Sequence, residues 1–267
     1  MRWLRSQVLV LLCVLVAPAT AGAAQCGGDF AAWLEQFRRE AATKGVSQNA
    51  LGALGGVTPD PKVLALDRNQ KAFTLTFEEF AARRISPQRL KKGELMLLQH
   101  ASMLSRIEAQ YGVPGEVLVA IWGLETDYGV NQGKQPVLRS LATLAHDCRR
   151  TDLFQGELLA ALQVIDRGDL APDQMRGAWA GELGQTQFLP SNYVKFAVDF
   201  DGSGRPDLIR SVPDVLASTA NYLKGFGWQR GAPYTEGAAN FEVLKQWNKS
   251  SIYQRTIALF AQKLAGQ

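Results

Sequence analysis

The sequence predicts a mainly α-helical protein, on three observations. Apolar residues recur at three- and four-residue intervals in one segment after another. Stop and break signals such as Gly45, Thr58-Pro59-Asp60-Pro61 and Ser86-Pro87 separate those segments. No sustained period-two alternation occurs, so strands should be few and confined to a loop-rich region around 177–210.

In chain order, residues 1–24 come first and read as an export signal. Arg2 and Arg5 are the basic start, Val8 to Val16 a short apolar core, and small residues lead to a cleavage point near Ala21 to Ala24. No later run of about 18 apolar residues suggests a membrane span. Phe30, Trp33, Leu34 and Phe37 mark a helix stopped by Gly45, and Leu51 to Leu54 a short one. Phe73, Phe77 and Phe80 mark a further helix or an extended arm, and Leu90 to Tyr111 a long amphipathic helix. Another begins at Pro114 and carries Glu125. Leu141 and Leu144, Phe154 through Ile165, Val215 to Phe226 and Tyr253 to Leu264 complete the set.

The formal charge of +4 falls by two when Arg2 and Arg5 leave with the signal, which argues for no nucleic-acid partner. Of three cysteines, Cys13 lies in the signal. Cys26 and Cys148 remain as an even pair in an oxidising compartment, either bridged or as two free thiols. His100 and His146, the only histidines, make no zinc site.

Glu125 is the sharpest chemical signal. Trp122, Ile121, Leu118 and Val117 lie three, four, seven and eight residues before it, so a helix carries the carboxylate on an apolar face. A buried, unpaired carboxyl raises its pKa and suits a general acid. The alternative is a glutamate neutralised by arginine or lysine. Downstream, Gly181-Glu182-Leu183-Gly184-Gln185-Thr186-Gln187-Phe188-Leu189-Pro190-Ser191-Asn192-Tyr193 interleaves glycines, amides and aromatics. Its amides can bind acetamido and hydroxyl groups, and Phe188 and Tyr193 offer faces for sugar rings. It also reads as an ordinary glycine-rich turn before a helix. In Asp199-Phe200-Asp201-Gly202-Ser203-Gly204-Arg205, Asp199, Asp201, Ser203 and the Arg205 carbonyl match the opening of a calcium loop. Arg210 stands where its closing glutamate would be, leaving Asp214 or Asp207 to close it. A plain Asp-Gly turn is the alternative.

These blocks together resemble the B type of lytic murein transglycosylase, over roughly residues 26–266. The resemblance rests on Ala120-Ile121-Trp122-Gly123-Leu124-Glu125-Thr126, Leu141-Ala142-Thr143-Leu144-Ala145, Arg149-Arg150, the Gly-Glu-Leu-Gly-Gln-Thr-Gln-Phe-Leu-Pro-Ser run, Val198-Asp199-Phe200-Asp201-Gly202 and Trp247-Asn248. It implies a lysozyme-like core at 113–267, an additional helical domain at 25–112 packing with the C-terminal helix, and a small loop and short-strand region. It implies a periplasmic, monomeric enzyme acting on peptidoglycan glycan strands. Glu125 matches the family's catalytic acid, and Gln187 a substrate contact. Arg150 and Arg149 match a basic pair lining the glycan groove, and Tyr222, Asn248 and Tyr253 fall among cleft residues. The Asp199 loop matches a calcium site closed by Asp214, with no cofactor needed for chemistry. Ala178, Trp247 and Ser203 stand where serine, tyrosine and aspartate are common, and one residue is added between Asp207 and Asp214.

Most glycosidases use two carboxylates. Asp127, two residues past Glu125, points elsewhere on a helix, and Glu182 reads as structural. The expected chemistry is therefore lytic, with Glu125 as acid and then base, the 2-acetamido group stabilising the anomeric carbon, and the muramic 6-hydroxyl attacking to leave a 1,6-anhydro end. The alternatives are a hydrolytic muramidase and a non-catalytic periplasmic glycan-binding scaffold.

Overall fold

Among residues 24–69 and 75–267, which the computed structural model describes, the periodic segments fold as thirteen α-helices. Residues 1–23, which include Cys13 and all but the last residue of the segment read as an export signal, lie outside the described residues, as does Phe73. α1 (Phe30–Thr43) is capped by Asp29 and buries Trp33, Leu34 and Phe37. α2 (Gln48–Gly52) follows. The Thr58-Pro59-Asp60-Pro61 break also starts a helix the periodicity did not announce, α3 (Pro61–Arg68). Asp60 accepts from the Lys62 N–H as its cap, and Pro61 takes the first turn. α4 (Phe77–Arg84) opens on a reciprocal Thr76–Glu79 capping box.

The single helix predicted over Leu90–Tyr111 is two, α5 (Pro87–Gln99) and α6 (Ala101–Tyr111), broken at His100. Packing explains the break. α5 lies against α7 (Gly115–Thr126) and α13 (Ser251–Leu264), whereas α6 buries Leu104, Ile107 and Tyr111 and packs mainly on α11 (Val212–Gly225). A Cβ on Gly93 of α5 would stand 2.6 Å from the Tyr128 hydroxyl, and one on Gly123 of α7 would stand 2.8 Å from the Tyr128 ring. Glycine at both positions lets the two helices close on that ring.

α7 is the centre of the molecule. Ten of its twelve residues are buried, and α5, α6, α11 and α13 all pack on it. The apolar stripe read from the sequence thus extends around the helix, interrupted by Glu116 and Glu125 and ending in the buried hydroxyl of Thr126. Nine residues apart, these two face opposite sides. Burial raises the Glu116 carboxyl, which bonds Tyr234.

α8 (Val137–His146) and α9 (Thr151–Asp166) pack together and receive α1, α2 and α3. Cys26 and Cys148 are bridged across 122 residues, tying the start of the described chain to the α8–α9 turn. α10 (Pro190–Phe196) and α12 (Ala239–Trp247) are further short helices that periodicity did not reveal. The ladder differs from expectation as well. β1 (Gln135–Pro136) pairs antiparallel with β2 (Arg176–Gly177), Gln135 opposite Gly177, so of its residues only Gly177 lies within 177–210. Two-residue strands carry no period to read. One apolar cluster runs from Ala24 to Leu264. No helix among the described residues is long and apolar enough to cross a membrane.

Candidate active site

The glycine- and amide-rich run is bolted to the end of α7. The Thr126 hydroxyl donates to the Gln185 carbonyl at 2.5 Å and accepts from the Gly129 N–H at 2.9 Å. The Trp122 indole N–H donates to the Gln185 side-chain oxygen at 2.9 Å, and the Gln185 amide reaches the Ile209 carbonyl at 3.1 Å. Gly177 is required where the run folds back, since a Cβ there would meet the Glu182 carbonyl oxygen at 1.9 Å.

Glu125 is half-buried at the open end of that arrangement. Its Oε1 accepts two bonds, from Trp247 Nε1 at 2.9 Å and from the Tyr253 hydroxyl at 2.8 Å. With two donors on Oε1, the acid proton belongs on Oε2. Burial raises the Glu125 carboxyl above its ordinary range; the two donors and the charge of Arg84 offset part of this, and the neighbouring Glu182 adds to it. Arg84 does not pair with the carboxylate but gives its N–H to the Leu124 carbonyl at 2.7 Å. Asp127 turns away in a left-handed conformation and pairs with Arg89 at 3.3 Å.

The cleft holding Glu125 encloses about 340 Å³, within the range of small-ligand sites. Trp247 and Trp179 are partly exposed along it, while Phe188 and Tyr222 back it and expose almost nothing. Trp247 stands edge-on to both, its ring 5.6 Å from Phe188 and 5.1 Å from Tyr222. Asn248 lines the same wall. Gln187, at φ 55°, spends its amide N–H groups on the Gln132 and Gly184 carbonyls, 3.1 and 3.0 Å away. It can therefore meet a ligand only through its oxygen, as an acceptor. Glu182 also lines the cleft; burial raises it, and backbone N–H groups of Glu182 and Ala180 act against that.

Other expected residues lie elsewhere. Tyr193 is fully buried and donates to the Pro206 carbonyl at 2.7 Å, so it offers no sugar face. Arg149 and Arg150 both grip the buried Asp67, and neither lines the cleft. Burial alone would raise Asp67, but the two guanidinium groups hold it below its ordinary value.

In the loop at 199–214, carboxylate oxygens of Asp199, Asp201 and Asp214 converge within 4.8 Å of one another. Asp207 is drawn off by Arg210 at 2.7 Å, which leaves Asp214 as the closing residue. Fully buried Asp214 accepts backbone N–H groups from Phe200, Asp201 and Asp207, which holds its carboxylate toward the loop. The Arg205 side chain leaves toward the Gly168 carbonyl, and its own carbonyl accepts the Ser203 hydroxyl at 3.2 Å. This all-oxygen set of converging carboxylates fits a hard ion such as calcium.

Gln185, Arg84 and Trp179 were not singled out in the sequence. Gln185 sits two residues from Gln187 in the same run, and only its partners on α7 separate the structural amide from the cleft amide. Trp179, an aromatic residue just before the glycine turn, was a readable signal.

Residues 29–239 match the model of the transglycosylase SLT domain family. Among curated proteins, the membrane-bound lytic murein transglycosylase B of Escherichia coli (strain K12) is 39% identical over 148 residues. That stretch is 55% of this chain and 41% of the relative, so the match spans less than half of that protein. Among solved structures, SltB3 from Pseudomonas aeruginosa in complex with NAG-NAM-pentapeptide superposes with a TM-score of 0.85 at 33% identity. It covers 90% of this chain and 81% of that one. The E. coli lytic transglycosylase Slt35 in complex with calcium follows at TM-score 0.79 and 27% identity, covering 94% and 98%.

Proposed function

The chain belongs to the transglycosylase SLT domain family, and on that premise we propose that it is a periplasmic lytic transglycosylase of peptidoglycan, cutting the β-1,4 bond between N-acetylmuramic acid and N-acetylglucosamine and leaving a 1,6-anhydro end. The observation that carries this reading is the pair of donors on one oxygen of Glu125. Burial favours the protonated carboxyl, and Oε2 gives that proton to the glycosidic oxygen as the C–O bond breaks. The carboxylate so formed finds the Trp247 N–H and Tyr253 O–H already in place, a preorganised stabilisation of charge that appears only during the reaction. The Gln187 oxygen accepts the acetamido N–H, turning the acetamido oxygen toward the anomeric carbon. Glu125 then takes the proton of the 6-hydroxyl as that oxygen closes on the same carbon. Water is not consumed, and the attacking group is part of the substrate. Mass spectrometry of muropeptides from digested sacculi tests the reading through the anhydro end.

Glu182 favours a second reading, a hydrolytic muramidase with Glu182 activating water, because its carboxyl lines the same cleft and its Oε2 has no hydrogen-bond partner. Burial works against the ionised form a base needs. Glu182→Gln is expected to keep glycan cleavage within about threefold of wild type; a loss of about a hundredfold or more, with hydrated products, would favour hydrolysis.

Trp247→Phe removes one donor from Oε1. The Glu125 carboxyl should rise further, so the alkaline limb of the pH profile of kcat/KM, where the acid loses its proton, moves to higher pH. Because the product carboxylate is less stabilised, kcat should fall by roughly a hundredfold. An unmoved limb in that variant would contradict the role given to the indole N–H.

The loop at 199–214 is expected to bind calcium through Asp199, Asp201, Ser203, the Arg205 carbonyl and Asp214. The ion would neutralise converging carboxylates and take no part in the chemistry. Calcium should raise the melting temperature by about 2–4 °C over chelated protein, and Asp201→Asn should abolish that response.

A further inference from the structure

We propose that the export signal is cut between Ala23 and Ala24, and that the α-ammonium released on Ala24 is captured by the buried carboxylate of Glu40 as a structural ion pair. The proposal rests on the export reading and specifies the bond it leaves open.

Ala24 is anchored on both sides of its backbone. Its nitrogen donates to Glu40 Oε2 at 2.8 Å, and its carbonyl accepts from Gln155 Nε2 at 2.6 Å. These contacts join α1 to α9, and only 3% of Ala24 is exposed. Glu40 is itself buried; its other oxygen takes Lys44 Nζ at 2.6 Å. Immediately downstream, the Cys26–Cys148 bridge and the Gly27 N–H on the His146 carbonyl hold the segment down. A cut after Ala24, where the sequence placed the boundary, would remove this residue. Glu40 Oε2 and the Gln155 amide would then lose their partners in a buried place.

A cut one bond earlier keeps both contacts and strengthens one. Ala21-Gly22-Ala23 supplies the small-x-small pattern such a cut needs. A signal-removing peptidase adds water across the Ala23–Ala24 amide: Ala23 leaves with the carboxylate, and Ala24 keeps its nitrogen, which takes up a proton as an ammonium at neutral pH. The amide N–H that donated to Glu40 becomes a charged donor on a charged acceptor, which makes a shorter and stronger bond. Removal of the signal therefore does more than release the chain; it creates the cation that Glu40 is placed to receive.

Two measurements test this. The intact mass of the protein recovered from the periplasm should correspond to a chain beginning at Ala24. Separately, purified chains beginning at Ala24, or at a glycine added before Ala24, should differ in melting temperature by about 2–4 °C in favour of the free Ala24 amine. The difference should vanish when both carry Glu40→Gln. A periplasmic chain with another amino end, or a difference that survives Glu40→Gln, overturns the proposal and leaves export intact. A chain found uncut inside the cell overturns export along with it.

Discussion

Replacing Glu125 with glutamine is expected to abolish glycan cleavage, by at least about a thousandfold in kcat, while the protein folds as well as wild type or better. Glutamine still accepts from Trp247 and Tyr253 through its oxygen, but it has no proton to give and cannot become the base. The stability half follows from linkage. A carboxyl whose pKa is raised in the folded state binds its proton more tightly there than in the unfolded chain. Stability is then full below the ordinary glutamate pKa and declines as pH rises through the raised value. Near neutral pH the wild type bears part of that cost and the glutamine variant does not. Turnover and thermal melting on the same samples check both halves. Wild-type turnover would remove Glu125 from the chemistry, and a collapsed variant would mean that the carboxylate is a structural ion after all.

The second large effect concerns stability alone. A chain carrying Cys26→Ser and Cys148→Ser should lose about 3–5 kcal/mol in denaturant unfolding, because the bridge closes a separation of 122 residues and shrinks the unfolded ensemble accordingly. Neither cysteine lines the cleft, so kcat below the melting transition should be unchanged. An unaltered unfolding midpoint would show that the unfolded chain gains no freedom when the bridge is absent.

Elements with a long period are legible in the sequence alone. α1, α7, α9, α11 and α13 each present enough apolar residues at helical spacing to be read, and the Gly-Glu-Leu-Gly-Gln run announced a turn rich in amides. α3, α10 and α12 are only seven to nine residues long, and α3 and α10 begin at prolines that also serve as breaks, so a periodic reading passes over them. The division at His100 has no local signal, because what separates α5 from α6 is the identity of their partners. The cleft was legible as an inventory and not as a wiring. Trp247 could be read as a stacking face, but its bond to Glu125 spans 122 residues and no spacing rule covers that distance. Gln185 and Gln187 look alike in the chain, and only the folded α7 makes one a bolt and the other a cleft acceptor. It is the resemblance that puts Arg149 and Arg150 in the groove, and neither residue's neighbours in the chain reveal their common partner, Asp67, more than eighty residues upstream.

The placement of Glu125 on α7 and of its two donors on α12 and α13 has a consequence in time. The hydroxyl and indole that hold the acid follow it by 128 and 122 residues. In a chain that is synthesised from its amino end, the carboxylate arrives long before the groups that hold it. The bonds that fix Glu125 therefore wait until nearly the whole chain has been made, and a nascent chain carries the carboxyl without its donors.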